Sequence, residues 1–532
     1  MSSEERFLDV LVQLVARAGG GHLFGVLGDA NMFFVDAYKR TGGRYLAAAE
    51  EKAAVLMATG FARRSGRPGL ATVTHGPGLA NTMAALIDAS RDKSPVLVIA
   101  GETPRGDSDH LQWLPQRALV ESIGVTYIAV DNAEDLLVRF ADAERLLVEN
   151  CGPVVLGVPS DHMFQTLDKR PLPPPTAPVR ELASDIDPDN LDAALGVLAT
   201  SRRGVLLAGR GAAEPATRAA LLRLADAADL DLATTLLAKD LFAGHPRNIG
   251  VFGTFATTVA IERIASADCV IAFGASLNRW TTADGSLLQN SRVIVVNDDV
   301  SWSSPWTNSA VTVSADAGAV ANLMASRLSE AGVRERGSRR SGITSTPAGE
   351  TPIDIYTRAL DAALPGARTV VCDGGRFMVR SLHGIRASSP RGLVHTLGFG
   401  SIGLGLGNAV GAAVAAPDQP TVLLVGDGGL MLAGWSELHT IVRERLDVTI
   451  AVFNDSAYGA EHQHFVGQGL DPAVTEFDWP AFAEVAAGFG WATDTLTSPD
   501  DVHRLEPLLR RRDRPTLLDF RLDPHQVPSS NS

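Results

Sequence analysis

The sequence of 532 residues predicts an α/β protein made of three doubly wound parallel-sheet domains. Short, continuous apolar runs that end in Gly or Asp recur along the chain, and Ala-rich helical stretches separate them. Such runs are typical of parallel strands that helices cover on both faces. Two segments rich in Pro, Gly or Ser divide the chain, which is longer than one hydrophobic core usually supports.

The domain limits follow from those two segments. Lys169–Glu181 is proline-rich and predicts an extended spacer, and Ser329–Pro352 mixes Gly, Ser, Arg and Pro without an apolar period. They predict an N-terminal domain over residues 1–168, a middle domain over 182–330 and a C-terminal domain over 353–532.

The apolar runs give the predicted strands in chain order. In open α/β sheets, ligands bind beyond the carboxyl ends of the strands, so the Gly- and Asp-rich ends of these runs are candidate sites. The predicted strands lie in HLFGVLG, GLATVTHGPG, SPVLVIAGE and GPVVLGVPS of the first domain, GVLLAGRGA, DCVIAFGAS and RVIVVNDD of the second, and TVVCDGG, TVLLVGDGG, DVTIAVFND and PTLLDFRLD of the third.

Composition narrows the class of protein. A net charge of −14 and a pI of about 5.3 argue against a nucleic-acid-binding face. No apolar run reaches the ~18 residues that a membrane span needs, and the first residues lack the basic region of a signal peptide. Cys151, Cys269 and Cys372 lie too far apart for a disulfide framework. We therefore expect a cytoplasmic protein with no membrane or nucleic-acid partner.

Two strands of the third domain end at a carboxylate. Gly426-Asp427-Gly428-Gly429 follows a predicted strand over Val422–Val425, and Asp455 follows a predicted strand over Val448–Phe453. If these strands are neighbours, Asp427 and Asp455 lie close together and suit Mg²⁺, which prefers oxygen ligands. The predicted glycine loop would also expose N–H groups to phosphate oxygens. The alternative is that both Asp residues only form turns.

The Gly-Asp-Gly loop, followed after 25 residues by Asn454-Asp455, resembles the signature of thiamine diphosphate (ThDP) enzymes, in which an Asn-Asn pair stands at similar spacing. The resemblance implies that Asp427, Asp455 and the Ala457 carbonyl hold Mg²⁺. Asp455 departs from the usual Asn and adds a negative charge. The resemblance also implies coenzyme contacts from Gly374, Gly400, Ile402, Gly426, Gly428, Gly429, Asn454, Tyr458 and Gly459.

The stretch from Ala47 to Glu102 resembles the pyrimidine-binding domain of the acetolactate synthase, pyruvate decarboxylase and benzoylformate decarboxylase superfamily. This implies that Glu51 contacts the aminopyrimidine ring and activates the coenzyme, unless it only begins an exposed helix. Ile402, in GFGSIGLG, matches the apolar residue that shapes the coenzyme in relatives, although core packing also accounts for it. The resemblance covers nearly the whole chain and implies a homodimer or homotetramer with active sites between subunits.

Three more residues match catalytic positions in individual relatives. His75 matches a His of benzoylformate decarboxylase, Gln112 a Gln of benzaldehyde lyase, and Glu461 a Glu of pyruvate decarboxylase. The alternatives are a satisfied polar residue at a strand end for His75 and an interface hydrogen bond for Gln112. His462 and His464 are predicted to be solvent or substrate-channel residues.

The resemblance implies an acetolactate synthase-like decarboxylase or carboligase for a 2-oxo acid or 2-hydroxyketone. The reaction would proceed by ylide addition, loss of CO₂ or C–C cleavage, and protonation or carboligation of the enamine. One alternative is an acetolactate synthase containing FAD, because AFGASLNRWTT partly resembles the segment that holds FAD there. A non-catalytic ThDP-binding scaffold is another, and a nicotinamide dehydrogenase is a more distant one.

Overall fold

The computed structural model describes residues 4–149, 152–175, 186–299, 302–332 and 349–525. It confirms the predicted fold class, with three sheets of six parallel strands flanked by helices. The predicted linkers lie partly outside the described residues, so the domain limits stay predictions. Within the described part of the chain, no helix is long and apolar enough to cross a membrane.

The first sheet has the strand order β3-β2-β4-β5-β7-β6. A small antiparallel sheet, which the sequence did not predict, pairs β1 with β8. The elements are β1 (Glu4–Arg6), α1 (Phe7–Ala18), β2 (His22–Gly25), α2 (Met32–Arg40), β3 (Arg44–Ala47), α3 (Glu51–Ser65), β4 (Gly69–Val73), α4 (Pro77–Ala80), α5 (Met83–Arg91), β5 (Val96–Glu102), α6 (Gln116–Ser122), β6 (Thr126–Ala129), α7 (Leu136–Glu149), β7 (Val154–Pro159) and β8 (Thr166–Asp168).

The middle sheet has the order β11-β10-β9-β12-β13-β14, the doubly wound arrangement of nucleotide-binding folds. Cys269 and Cys372 are free and buried, and Cys151 lies outside the described residues. The elements are α8 (Pro188–Thr200), β9 (Gly204–Ala208), α9 (Pro215–Ala228), β10 (Asp231–Thr234), β11 (Asn248–Val251), α10 (Thr258–Ala265), β12 (Cys269–Phe273), α11 (Arg279–Thr282), β13 (Arg292–Asn297), β14 (Ser309–Ser314) and α12 (Ala317–Glu330).

The third sheet has the order β16-β15-β17-β18-β20-β19. When the strands of each sheet are numbered in chain order, their spatial order is the same here as in the N-terminal sheet. The elements are α13 (Pro352–Ala363), β15 (Thr369–Cys372), α14 (Met378–Gly384), β16 (Leu393–His395), α15 (Gly405–Ala415), β17 (Thr421–Gly426), α16 (Asp427–Ala433), α17 (Ser436–Arg443), β18 (Val448–Asn454), α18 (Gly459–Gly467), α19 (Phe482–Gly488), β19 (Ala492–Leu496), α20 (Leu505–Leu509) and β20 (Thr516–Arg521).

Helices α3 and α15 occupy equivalent places in these two similar domains and pack directly on each other. A Cβ atom on Gly60 would lie 2.1 Å from the Asn408 carbonyl oxygen, and one on Gly411 would lie 1.8 Å from the Met57 carbonyl oxygen. Glycine is therefore required at both positions, because the helix backbones touch. This contact fixes the N-terminal and C-terminal domains relative to each other.

We expect Gly411→Ala to destabilise the protein by about 3 kcal/mol, the upper end of the range for overpacking a well-packed core. The added methyl group would meet backbone atoms of α3, which cannot rotate away. Gly196→Ala in α8 is the matched control, since a Cβ there meets nothing within 4 Å. Urea unfolding measures both variants, and an unchanged unfolding midpoint for Gly411→Ala would contradict the predicted contact.

Candidate active site

The carboxyl ends of β17 and β18 bring Asp427 and Asp455 to one edge of the third sheet. The two strands are parallel neighbours, as the sequence predicted. The prediction of a loop over Gly426–Gly429 is wrong, because α16 begins at Asp427 directly after the strand. The three residues at its start are buried, and packing overrides the low helix propensity of glycine.

Asp427 is buried and anchored on both oxygens. Its Oδ1 accepts a hydrogen bond from the Gly428 N–H at 2.8 Å, and its Oδ2 accepts from the Ala457 N–H at 3.1 Å and from Trp479 Nε1 at 3.0 Å. Burial raises the pKa of Asp427 to about 7, and the neighbouring Asp455 carboxylate acts in the same direction, although these hydrogen bonds oppose the rise. Two buried carboxylates at the ends of neighbouring strands favour a bound cation.

Asp455 begins a tight turn that carries the other proposed metal ligands. Ser456 has φ +56°, which is uncommon for a residue other than glycine and is often found at functional sites. Asn454 supports this turn: its Oδ1 accepts from the Ser456 N–H at 3.1 Å, and its Nδ2 donates to Asp519 at 2.9 Å. The structure therefore gives Asn454 a supporting role in the turn, and its coenzyme contact stays a prediction.

Arg376 is a site residue that the sequence reasoning missed. Its Nη2 donates to Asp455 Oδ2 at 2.5 Å, and both side chains are buried. Burial raises the pKa of Asp455, and the Arg376 guanidinium opposes that rise. The negative charge that Asp455 adds in place of the usual Asn is paired with the Arg376 guanidinium. The sequence signal for Arg376 was its position directly after Asp373-Gly374-Gly375, which follows a predicted strand.

One glycine of the predicted phosphate loop, Gly428, serves packing inside the protein. A Cβ on Gly428 would lie 2.5 Å from the Tyr458 ring, so this glycine makes room for the aromatic side chain. The Gly428 N–H donates a hydrogen bond to Asp427 Oδ1 at 2.8 Å, so it already has a partner within the protein. A Cβ on Gly426 or Gly429 would make only ordinary or slightly close contacts. Coenzyme contacts from this segment stay predictions.

Ile402 lies half-buried beside the end of β15. A Cβ on Gly374 would lie 3.2 Å from Ile402 Cγ2, so these two predicted coenzyme residues adjoin each other. Gly400 has φ +78°, a conformation that requires glycine, in an exposed turn.

A fully buried carboxylate, Asp373, holds these turns in place. Its Oδ1 accepts from the Gly374 N–H and from the Thr396 hydroxyl, and its Oδ2 accepts from the Gly403 N–H at 2.8 Å. Burial raises the pKa of Asp373, and these hydrogen bonds oppose it. Asp373 follows a predicted strand, as Asp427 does, so the same sequence signal could have identified it.

The residues at this edge fit a divalent cation with a diphosphate. Asp427 and Asp455 supply hard oxygen donors within one buried cluster, and magnesium prefers such ligands. Arg376 supplies positive charge, and its Nε and Nη1 are buried without a hydrogen-bond partner among the described residues. The donor set therefore suits an anionic ligand and its metal.

Glu51 is the first residue of α3, at the carboxyl edge of the first sheet. It is half-buried, and its Oε2 accepts a hydrogen bond from Asn81 Nδ2 at 3.0 Å. Glu50 precedes it, makes no side-chain cap and pairs with Lys52 at 3.2 Å. Glu51 does begin a helix, yet its carboxylate points to Asn81 and leaves the other oxygen for a ligand.

His75 lies in a cluster with Asp29 and His110, which the sequence reasoning did not assign. The buried His75 places Nε2 3.5 Å from Asp29 Oδ1, and its ring packs edge-on against the His110 ring with centroids 4.9 Å apart. His75 Nδ1 is buried without a hydrogen-bond partner among the described residues. The cluster adjoins Glu51, because a Cβ on Gly78, three residues after His75, would lie 3.7 Å from Glu51 Oε1.

Gln112 contributes its backbone to the same loop. Its N–H donates to His110 Nδ1 at 3.2 Å, and its carbonyl oxygen would lie 2.1 Å from a Cβ on Gly76. The neighbouring Gln116 makes the interior hydrogen bonds: its Oε1 accepts from the Gly76 N–H at 2.7 Å, and its Nε2 donates to the Gly101 carbonyl. Gln116 thus has the structural role, while Gln112 stays half-buried beside His110.

Helix α18 carries the last predicted residues. Glu461 is exposed in its first turn. His464 is exposed, but the prediction of a solvent position is wrong for His462, which is 2% exposed and lies 3.1 Å from Glu476 Oε1. The helix turns this side chain inward against Glu476.

The glycines after β9 and β12 pack against each other in the middle domain. A Cβ on Gly209 would lie 2.3 Å from the Gly274 carbonyl oxygen. A short 3₁₀ helix over Arg210–Ala212 follows β9. This packing accounts for the glycines without a nucleotide, and FAD binding stays untested.

Comparison with known proteins identifies the family. Three thiamine pyrophosphate enzyme models match in order: the N-terminal TPP binding domain at residues 5–122, the central domain at 191–324 and the C-terminal TPP binding domain at 373–520.

Individual relatives match over most of both chains. The acetolactate synthase isozyme 1 large subunit of Escherichia coli is 26% identical over 98% of this chain and 95% of its own. The sulfoacetaldehyde acetyltransferase of Alcaligenes xylosoxydans is 26% identical over 92% and 87%, and a protein of Pseudomonas aeruginosa named "Probable 2-ketoarginine decarboxylase" is 28% identical over 94% and 90%. With its three matched domains and its acetolactate synthase-like relatives, the chain belongs to the thiamine pyrophosphate-dependent enzymes.

Proposed function

We propose that this protein is a decarboxylase or carboligase that uses thiamine diphosphate and Mg²⁺ to act on a 2-oxo acid or 2-hydroxyketone. The observation that carries the proposal is the buried pair Asp427 and Asp455, on neighbouring strands of a thiamine pyrophosphate-binding domain. Arg376 pairs with Asp455, which leaves the buried Asp427 without an ion-pair partner among the described residues, and a divalent cation would compensate this carboxylate.

The metal would be held by Asp427, Asp455 and the Ala457 carbonyl. Trp479 and the Ala457 N–H fix one oxygen of Asp427, and Arg376 fixes one oxygen of Asp455. Each carboxylate is therefore oriented before a metal arrives, which lowers the entropy cost of binding. Ile402 beside Gly374 would support the coenzyme from the neighbouring strand end.

When bound, thiamine diphosphate supplies a carbon nucleophile and an acceptor for the electrons released by C–C cleavage. Glu51 would contact its aminopyrimidine ring through the carboxylate oxygen that Asn81 leaves free. A positioned carboxylate of this kind stabilises a protonated ring nitrogen and so acts as an acid–base group.

His75 would handle substrate protons, with Asp29 and His110 as its neighbours. The buried ring has its Nε2 atom 3.5 Å from Asp29 Oδ1, so a carboxylate lies beside the imidazole. Gln112, on the same loop as His110, would bind a substrate oxygen. Glu461, in the first turn of α18, would exchange protons with the substrate from the side on which the metal cluster lies.

We further propose a homo-oligomer, dimer or tetramer, with active sites between subunits. Support comes from large apolar side chains that are exposed around the His75 cluster: Leu27 is 55%, Leu111 98% and Trp113 50% exposed. Exposed apolar groups concentrated in one region are typical of interaction surfaces.

Two alternatives remain within this proposal. The first is an acetolactate synthase that contains FAD. Relatives named acetolactate synthase favour it, and a flavin spectrum of the purified protein would support it. A non-catalytic scaffold is disfavoured by the presence of Glu51 at the start of α3.

The test is a screen of 2-oxo acids with thiamine diphosphate and Mg²⁺ present. We expect CO₂ release with at least one acid, together with an aldehyde or an acyloin product that distinguishes decarboxylase from carboligase. His75→Ala should slow turnover by ~10²–10⁴, the usual range for a lost acid–base group. A screen of 2-oxo acids and 2-hydroxyketones without any CO₂ release or C–C cleavage would contradict the proposal.

A further inference from the structure

Arg376 has buried hydrogen-bond donors that no described residue accepts. Its Nη2 donates to Asp455 and to the Pro524 carbonyl oxygen at 3.1 Å, whereas Nε and Nη1 are buried without a partner in the described part of the chain. The side chain is only 3% exposed. Leaving donors of a charged group unpaired in the interior is costly, so an acceptor beyond the described residues is the expected partner, and a bound anion would supply one.

Gly459 lies beside the ion pair of Arg376 and Asp455. A Cβ on Gly459 would lie 2.5 Å from Asp455 Oδ2 and 2.9 Å from Arg376 Nε. Both distances are shorter than real Cβ contacts, so Gly459 packs closely on the ion pair and any other residue at this position would displace Arg376 or Asp455. Helix α18 starts at Gly459, and the first N–H groups of a helix favour negative charge. The guanidinium group of Arg376 and the start of helix α18 together favour the binding of an anion.

The charges of the cluster point to the same ligand. Asp427 and Asp455 carry two negative charges, and Arg376 removes one of them through the ion pair. The cluster then has the same formal charge as one with Asn at position 455, the usual residue of the family. Arg376 thus restores the charge balance that a diphosphate and one divalent cation require.

We propose that Arg376 binds an anionic oxygen of the coenzyme diphosphate through Nε and Nη1, while Nη2 neutralises Asp455. This inference rests on the proposed function, because it takes thiamine diphosphate as the ligand. A guanidinium gives strong, directional hydrogen bonds to phosphate oxygens. This chain would therefore bind the diphosphate through a fixed side-chain charge in addition to the metal.

The test uses inorganic pyrophosphate as the probe, titrated by calorimetry with and without Mg²⁺. The decisive comparison is Asp455→Asn against the double variant Arg376→Gln with Asp455→Asn, because neither leaves an unpaired carboxylate at position 455. We expect the double variant to bind pyrophosphate ~10- to 100-fold more weakly, the equivalent of one hydrogen bond to a charged group. Equal affinities would overturn the direct contact.

Arg368→Gln is the matched control. Arg368 also forms a buried ion pair, with Asp361 at 2.7 Å, and its Nε also lacks a described partner. We expect this variant to lose stability and keep its pyrophosphate affinity; equal weakening in Arg368→Gln would overturn the specific role of Arg376. If the double variant does not fold, Arg376→Lys replaces it, since Lys keeps the charge but lacks the fork, and unchanged affinity would then overturn the proposal.

The two proposals fail in different ways. A wild-type protein that binds thiamine diphosphate but shows equal affinities in the decisive pair overturns the role of Arg376 alone. A wild-type protein that binds neither pyrophosphate nor thiamine diphosphate, with or without Mg²⁺, overturns both.

Discussion

Glu51→Gln is expected to slow the exchange of the C2 proton of bound thiamine diphosphate into D₂O by ~10²–10⁴. Gln keeps the size of the side chain and its hydrogen bond with Asn81, but it has no negative charge to stabilise a protonated ring nitrogen. Coenzyme affinity should change little, because the binding contacts of the diphosphate lie elsewhere. The measurement is NMR after acid quench, and it needs no knowledge of the substrate.

Glu50→Gln is the control for that experiment. Glu50 stands next to Glu51 before the same helix, but its carboxylate pairs with Lys52. Its exchange rate should match the wild type. Equal rates in wild type and Glu51→Gln would show that Glu51 is not the activating residue, and equal slowing in both variants would indicate a general effect on the start of α3.

Asp427→Asn is expected to abolish metal-linked coenzyme binding. The variant keeps the shape of the side chain but loses the charge that a divalent cation needs, and one oxygen that Trp479 and the Ala457 N–H hold in place becomes an amide group. In the wild type, thiamine diphosphate with Mg²⁺ at one hundred times the Kd should add ~2.7 kcal/mol of stability by linkage. Asp427→Asn should show no such gain.

Asp447→Asn controls for the loss of a carboxylate in the same sheet. Asp447 precedes β18 at the opposite edge and pairs with Arg512. Thermal unfolding with and without coenzyme and Mg²⁺ should show the wild-type gain in this variant. A gain of wild-type size in Asp427→Asn would contradict the assignment of the metal site. A gain that persists in EDTA-treated wild type would contradict it as well.

The strands predicted from apolar runs are mostly the central ones. β17 and β18 are buried along nearly their whole length, so their composition alone identifies them. The edge strands were missed: β3 has only one fully buried residue, and β19 has a polar centre. An edge strand is covered on fewer sides, so its sequence need not be continuously apolar. β10 was also missed, although it lies inside its sheet, because its apolar run is only Leu232-Ala233, between Asp231 and Thr234.

The sequence by itself determined the fold class, the family resemblance and the two strand ends that carry Asp427 and Asp455. These depend on local patterns, namely apolar runs, glycines and a fixed spacing between motifs. Only the tertiary structure decided which side chains meet across the chain. Arg376 reaches Asp455 over 79 positions, and His75 meets Asp29 and His110 from three different loops. Such contacts depend on strand order and burial, which no local pattern encodes. The physical reason is that parallel strands bring distant loops to one edge, where charge neutralisation selects the partners.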